Sequence, residues 1–197
     1  MKVLLYGAGG HAKVVIECLM ANSITPALFF DDNMKKKEWE KIEVKRYNSD
    51  IMQNTSMIIS IGNNNSRMKI AEQVKHAYIN SIHPSAQLSK NSEIGTGCQV
   101  IHSAIIQAGT SIGNHVILNT ASTIDHDCHV SNFAHIGPGS TICGGVNIGE
   151  GTFVGAGSVV LPNVKIGNWV NIGAGSVVNT NVPDNAIVAG NPLRVIK

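Results

Sequence analysis

No CxxC spacing, no long apolar run and no excess of one charge appear in this chain of 197 residues. Cys18, Cys98, Cys128 and Cys143 are scattered singly, so they are expected as small thiols filling a core rather than a disulfide framework or a zinc site. The N-terminal apolar run Val3-Leu4-Leu5-Tyr6 stops at Gly7, too short for a signal-peptide core. No run approaches the roughly 18 residues that a membrane span needs, so a cytoplasmic protein is expected. Fifteen Lys and Arg against thirteen Asp and Glu leave a net charge of +2, which argues against nucleic-acid and polybasic membrane binders. The composition also excludes a disordered chain, collagen and a coiled coil.

Charge is also scarce in one place. Residues 84–197 hold only nine charged side chains, whereas residues 1–83 hold eleven basic and eight acidic ones. The poorly charged stretch is expected to bury faces against copies of itself.

The first part reads as a small α/β unit over residues 1–83. Lys2–Tyr6 has the pattern of a buried strand, Gly7-Ala8-Gly9-Gly10 that of a turn, and His11–Met20 that of a helix. Further strands are expected at Ala27–Phe30, Met57–Ile61 and Tyr78–Ile82, with a helix over Asn63–Val74. Alternating strands and helices imply a parallel sheet. The mixed-sign segment Lys35-Lys36-Lys37-Glu38-Trp39-Glu40-Lys41 is expected to be a solvated loop or helix.

The remainder is a repeat. From Ile82 to Val178, every sixth residue is Ile, Leu or Val, seventeen positions without exception. Four residues after each of them stands Ala, Ser, Cys, Thr or Val, and glycine often follows the aliphatic directly, as at Gly95, Gly113, Gly137, Gly149, Gly155, Gly167 and Gly173. A period of six fits neither a helix nor a flat sheet. It fits a prism-shaped parallel β-helix over residues 84–179, in which the aliphatic points inward and the small residue lets the chain turn. Residues 180–197 form a tail.

These hexapeptides resemble those of the hexapeptide-repeat acyltransferases, and the closing stretch from Val182 to Pro192 is similar to theirs. The resemblance implies a left-handed β-helix with three hexapeptides per coil; the hand does not follow from general chain physics. The layout Gly7-Ala8-Gly9-Gly10-His11, Phe30-Asp31-Asp32, Ile61-Gly62-Asn63-Asn64 and Asp125-His126-Asp127 narrows it to the sialic-acid acetyltransferase-like group. Within that group it most resembles bacterial N-acetyltransferases of UDP-linked 4-amino-4,6-dideoxy sugars, of the bacillosamine type.

Gly7-x-Gly9-x-x-Ala12 followed by Asp31 and Asp32 also matches a dinucleotide fingerprint, but about eighty residues cannot supply both mononucleotide halves, so NAD is not expected. Glycines that let backbone N–H groups approach a phosphate, ahead of a helix N-terminus, still suit a phosphorylated ligand; a purely structural turn is the alternative. The resemblance implies a nucleotide-sugar held by Gly9, Gly10, His11, Asp31, Asp32, Gly62, Asn63 and Arg67, with Asp32 on the base.

Of the eight histidines, His126 stands out because Asp125 and Asp127 flank it, able to fix one tautomer and raise its basicity, as a general base toward an amine requires. His76 is expected to be solvated, His83 to lie at the domain junction, and His102, His115 and His129 at corners or outer faces. One coil is eighteen residues, so Gly144 stacks beside His126 at about 4.8 Å, where its N–H can stabilise an oxyanion. The resemblance places the base at His126, its orienter at Asp127 and the oxyanion amide at Gly144. His126 and His135 are half a coil apart and face different sides of the prism, so they meet only across an interface between copies. The family implies a homotrimer with active sites between subunits, where His135 reaches both substrates. Acetyl-CoA is the implied donor, near His135, Gly144, Gly155, Lys165, Gly173, Gly190 and Pro192, with direct transfer and no metal. Two alternatives are an O-acetyltransferase of sialic acid or a related sugar, and a zinc β-helix enzyme of γ-carbonic anhydrase type; the latter lacks a glycine-loop domain.

Overall fold

A computed structural model of the chain describes residues 1–35, 37–39 and 41–197. The N-terminal unit is built on β1 (Lys2–Tyr6), α1 (Gly10–Ala21), β2 (Thr25–Phe30), β3 (Glu38–Trp39), β4 (Ile42–Lys45), β5 (Met57–Ile59) and α2 (Asn64–Gln73). The strand order is β3-β4-β2-β1-β5, parallel apart from the β3–β4 pair. Val3 to Tyr6 are all buried because β1 lies between neighbours on both sides and is covered on both faces. Alternation along it sends Val3 and Leu5 toward Val15 and Leu19 of α1, and Leu4 and Tyr6 toward Ile70 of α2.

Three features of this unit differ from the sequence reading. Trp39 is buried against Phe29, ring centroids 5.1 Å apart, so part of the mixed-sign segment is a core strand; Lys36 and Glu40 of that segment lie outside the described residues. His76 is not solvated. It is buried, hydrogen-bonded to the Tyr47 hydroxyl at 3.1 Å and, through Nε2–H, to the Ile51 carbonyl at 3.0 Å. The strand expected at Tyr78–Ile82 divides: Tyr78 makes a single bridge to Met57, while Ser81–Ile82 already pairs with Gln99–Val100 of the β-helix.

From Ser81 onward the chain forms two-residue rungs that pair in parallel with the rung eighteen residues later, as Ile106 with Ile124 and Ile124 with Ile142. Three sheets result. The first face carries the rungs ending at Ile82, Val100, Leu118, Ile136, Val154 and Ile172, and the tail extends it through Ile187–Ala189 and Arg194–Val195. The second runs from Leu88 to Val178 and the third from Ile94 to Ile166. The aliphatics from Val100 to Val178 fill the interior, each at most 4% exposed. The corner residue three after each aliphatic, from Gly97 to Gly175, lies in the left-handed region every time. Glycine supplies only half of these positions; Ser103, His115, Ala121, Asp127, Phe133, Asn163 and Trp169 supply the rest.

The outward column of the first face, Ser81-Gln99-Ile117-His135, is buried because the small unit docks there. Arg67 of α2 is the pin. Its side chain is fully buried and donates to the carbonyls of Ile61 (3.1 Å), Gly62 (3.2 Å), His115 (2.8 Å) and Phe133 (2.8 Å) and to Asn64 Oδ1 (2.9 Å). Asn64 adds a bond to the Gly151 carbonyl at 3.0 Å.

Candidate active site

Two groups of candidate residues form, on different sides of the prism. The first surrounds the glycine turn. Gly7 has φ +107°, and a Cβ there would collide with Ile61, so the fold itself demands that glycine. Gly9 and Gly10 are another matter. A Cβ on either would meet open space, and neither has positive φ, so no internal contact requires glycine at the start of α1. The Asp31 carboxylate accepts from Ala8 N–H at 2.7 Å and Asn33 N–H at 2.8 Å, which ties the turn to the end of β2. Asp32 is exposed, with one oxygen held by the Tyr6 hydroxyl at 2.9 Å. Asn63 caps α2 by accepting from Ser66 N–H at 2.9 Å.

Beside the turn, a cavity of about 340 Å³ opens between Gly62, Asn63 and Asn64 of the small unit and His135, Phe153 and Trp169 of the β-helix. His11 and His135 come within 6.3 Å of each other, centroid to centroid, near Gly62. Burial lowers the pKa of His11 and pushes that of His135 down to about 4, so both rings are neutral at pH 7. Arg67 is not open to a ligand. Burial pushes its pKa down to about 9, still charged at neutral pH, and its donors are spent on the carbonyls and amide oxygen that hold the two units together.

The second group sits on the corner between the second and third faces. His126 Nδ1 lies 2.9 Å from Asp127 Oδ2, and the His126 backbone N–H donates to Asp125 Oδ1 at 2.8 Å. A carboxylate accepts, so Nδ1 carries the proton and Nε2 presents a lone pair. The hydrogen bond to Asp127 raises the His126 pKa above its ordinary value, with the Asp125 charge adding to it. Glycines make this arrangement possible on both neighbouring rungs. Asp127 takes φ 55°, and a Cβ on Gly109 would collide with its carboxylate. On the other side, a Cβ on Gly144 would lie 2.6 Å from both Cε1 and Nε2 of His126. Gly144 N–H donates to no protein group among the described residues, so a free donor and a free lone pair adjoin. The groove here, about 360 Å³, is lined by Asp125, His126, Asp127, Cys143, Gly144 and Asn163. The His126 and Asp127 side chains are 62% and 73% exposed in a single copy.

The donor-side candidates scatter. Gly155 and Gly173 stack along the corner between the first and second faces, and each is glycine because the rung above leaves no room: Ala174 N lies over Gly155 and Ala189 Cβ over Gly173. Gly190 accepts from Val177 N–H at 3.2 Å, Pro192 is exposed, and Lys165 is exposed on the third face. His115, expected at a corner or outer face, is at a corner but buried under α2, stacked on Phe133 at 5.1 Å. Gln99, Phe153 and Trp169 are not among the candidates that the sequence offers. The signal for two of them was the eighteen-residue column through His135, which runs 99, 117, 135, 153. Among the described residues, no three His, Cys, Asp or Glu side chains converge as a metal site, and no helix is long and apolar enough to cross a membrane.

Residues 2–74 match the PglD N-terminal domain, and residues 145–180 match the bacterial transferase hexapeptide (six repeats). The UDP-N-acetylbacillosamine N-acetyltransferase of Bacillus subtilis (strain 168) is 39% identical over 113 residues, 50% of each chain, so the match spans about half the length of that curated relative. A solved histidine-to-alanine mutant of GDP-perosamine N-acetyltransferase from Caulobacter crescentus, in complex with CoA and GDP-perosamine, is 35% identical. The superposition covers 100% of this chain and 97% of that one with a TM-score of 0.95. The acetyltransferase domain of PglB from Neisseria gonorrhoeae FA1090, in complex with acetyl coenzyme A, is 34% identical, with 99% and 98% covered and a TM-score of 0.91. With likeness running the whole length, through the glycine turn and every coil, this chain belongs to the hexapeptide-repeat sugar N-acetyltransferases that carry a PglD-type N-terminal domain.

Proposed function

We propose that this protein transfers an acetyl group from acetyl-CoA to the 4-amino group of a UDP-linked 4-amino-4,6-dideoxy sugar. The observation that carries the reading is the His126 ring, oriented by Asp127 and lying over an unpartnered Gly144 amide. The small unit holds the acceptor. Gly9 and Gly10 leave the start of α1 open to a diphosphate, and the exposed Asp32 is free to meet the base. In the reaction, the sugar amine attacks the thioester carbonyl while His126 Nε2 takes its proton. Asp127 stabilises the imidazolium, and Gly144 N–H donates to the oxyanion of the tetrahedral intermediate. Collapse breaks the carbon–sulfur bond, and His126 returns its proton to the departing CoA sulfur. No acyl-enzyme is required.

The acceptor cavity and the His126 groove share no residue, and they lie on the first face and on the opposite corner. The complete site therefore takes its acceptor pocket from one copy and His126 from another, in a homotrimer. The test is direct: acetyl-CoA with UDP- or GDP-linked 4-amino sugars, following free thiol release and the mass of the sugar product. Turnover of the UDP acceptor by wild type and its loss in His126→Ala, on the order of 10²–10⁴-fold in kcat, supports the mechanism. A His126→Ala enzyme that keeps a third of the wild-type kcat refutes it.

A further inference from the structure

His135 lines the acceptor cavity and His11 lies beside it, ring centroids 6.3 Å apart, and their hydrogen bonds give the two histidines different chemistry. The His135 case is closed. Its Nδ1 lies 3.2 Å from the Gly62 carbonyl, so Nδ1 carries the proton. Its Nε2 is 3.1 Å from Asn119 Nδ2, an assignment fixed because Asn119 Oδ1 accepts from Thr120 N–H at 2.8 Å. Both ring nitrogens of His135 are occupied.

His11 is open, and a residue 88 positions away decides how. Gln99 projects from the first face into the contact with the small unit and is fully buried. The Ile59 carbonyl can only accept, so the Gln99 atom 2.8 Å from it must be the amide nitrogen. The Gln99 oxygen then faces His11 Nε2 at 2.7 Å, and an oxygen acceptor requires that Nε2 carry the proton. A neutral imidazole has one N–H, so Nδ1 is a bare lone pair. It makes no hydrogen bond among the described residues, and it is not one of the sealed, unpartnered polar atoms.

We propose that Gln99 is a positioning residue: by relaying the direction of the Ile59 carbonyl it fixes His11 as the Nε2–H tautomer, so that Nδ1 accepts a hydrogen bond from an N–H or O–H of the acceptor sugar. The proposal rests on the acceptor lying in the small unit, as argued above. It also gives the site a selectivity. A sugar bearing a carbonyl where the donor should be sets oxygen lone pairs against the Nδ1 lone pair, and a buried polar mismatch of that kind is costly.

The tautomer can be read in the intact protein by two-bond proton–nitrogen NMR of histidine-labelled wild type. His11 is expected as Nε2–H at pH 7, with its Nδ1 resonance moving on saturation with the UDP-amino sugar and not with acetyl-CoA. The companion variant is Gln99→Leu, which removes the relay at similar volume. Its acceptor KM is expected to rise roughly three- to tenfold, the worth of one hydrogen bond, while kcat and the acetyl-CoA KM stay within about twofold. Finding His11 as Nδ1–H, or an Nδ1 resonance indifferent to the saturating acceptor, overturns the proposal even if Gln99→Leu does not fold. A folded Gln99→Leu with unchanged acceptor KM also overturns it. Failure of wild type to acetylate any amino sugar strikes the functional reading instead and leaves the tautomer measurement standing.

Discussion

Gly144→Ala is the smallest change that separates the catalytic arrangement from the fold. Gly144 does not occupy the left-handed region, so its backbone admits a methyl group without strain. What the methyl meets is the His126 ring at 2.6 Å, against 3.4 Å or more for an ordinary contact, so the ring must withdraw by about 0.8 Å. The ring is exposed and free to swing, and nothing in the β-helix interior is disturbed. Stability should therefore stay within about 0.5 kcal/mol of wild type, or rise slightly because alanine restricts the unfolded chain. Activity should not be spared. Displacing a proton acceptor by close to 1 Å costs on the order of 10²-fold, so kcat falls by about that factor while the melting temperature holds. Steady-state kinetics beside thermal unfolding reads both quantities. In a His126→Ala background the same substitution should cost almost nothing more, because the group it displaces is gone. A Gly144→Ala enzyme within threefold of wild-type kcat refutes the reasoning. A full additional loss in the double variant would move the effect from the imidazole to the Gly144 amide.

Three further outcomes are expected. The rate should rise with pH as His126 becomes neutral, through a pKa raised by Asp127; in Asp127→Asn that limb should move to lower pH and the plateau should fall, and an unmoved limb assigns the ionisation to another group. Arg67→Leu should cost about 3 kcal/mol or more in urea unfolding, since several carbonyls lose their donor at once, and Arg67→Lys should not restore it, because one ammonium cannot replace a five-donor fork. Light scattering should give three times the 20.9 kDa chain mass, and mixed assemblies of His126→Ala with Asp32→Ala subunits should recover activity that neither has alone; a monomer would end the shared-site argument.

What the sequence made legible follows from how local the cause was. The rungs were readable because each inward aliphatic answers to its own coil, so a period of six survives over seventeen positions. His126 was readable because its carboxylates are its chain neighbours, and Gly144 because the coil length places it one rung away. Gln99 was not. Its role comes from a partner 88 residues away, and nothing in its own hexapeptide differs from a solvated outward position. The same holds for Trp39, between Glu38 and Glu40, and for His76, next to Lys75, whose partners Phe29 and Tyr47 lie across the sheet or in a loop. The resemblance puts Arg67 beside the nucleotide-sugar; only the docked β-helix reveals that its guanidinium is instead taken up by the carbonyls of His115, Phe133 and Ala134, together with those of Ile61 and Gly62 in its own unit.

The docking of α2 across several rungs makes chain length in the β-helix a quantised variable. Arg67 reaches the carbonyls of His115 and Phe133, and Asn64 reaches Gly151, three corners spaced by eighteen residues. Losing one whole coil between them would keep every later residue on its own face, though one rung nearer the small unit. Losing a single hexapeptide between His126 and Gly144 would rotate everything beyond it by a third of a turn, carrying Gly144 away from His126 and Phe153 away from the acceptor cavity while leaving the aliphatic pattern intact. A deletion can thus be silent to the hydrophobic core and fatal to the site. Tolerance to insertion and deletion in this protein should be graded by divisibility by eighteen rather than by size.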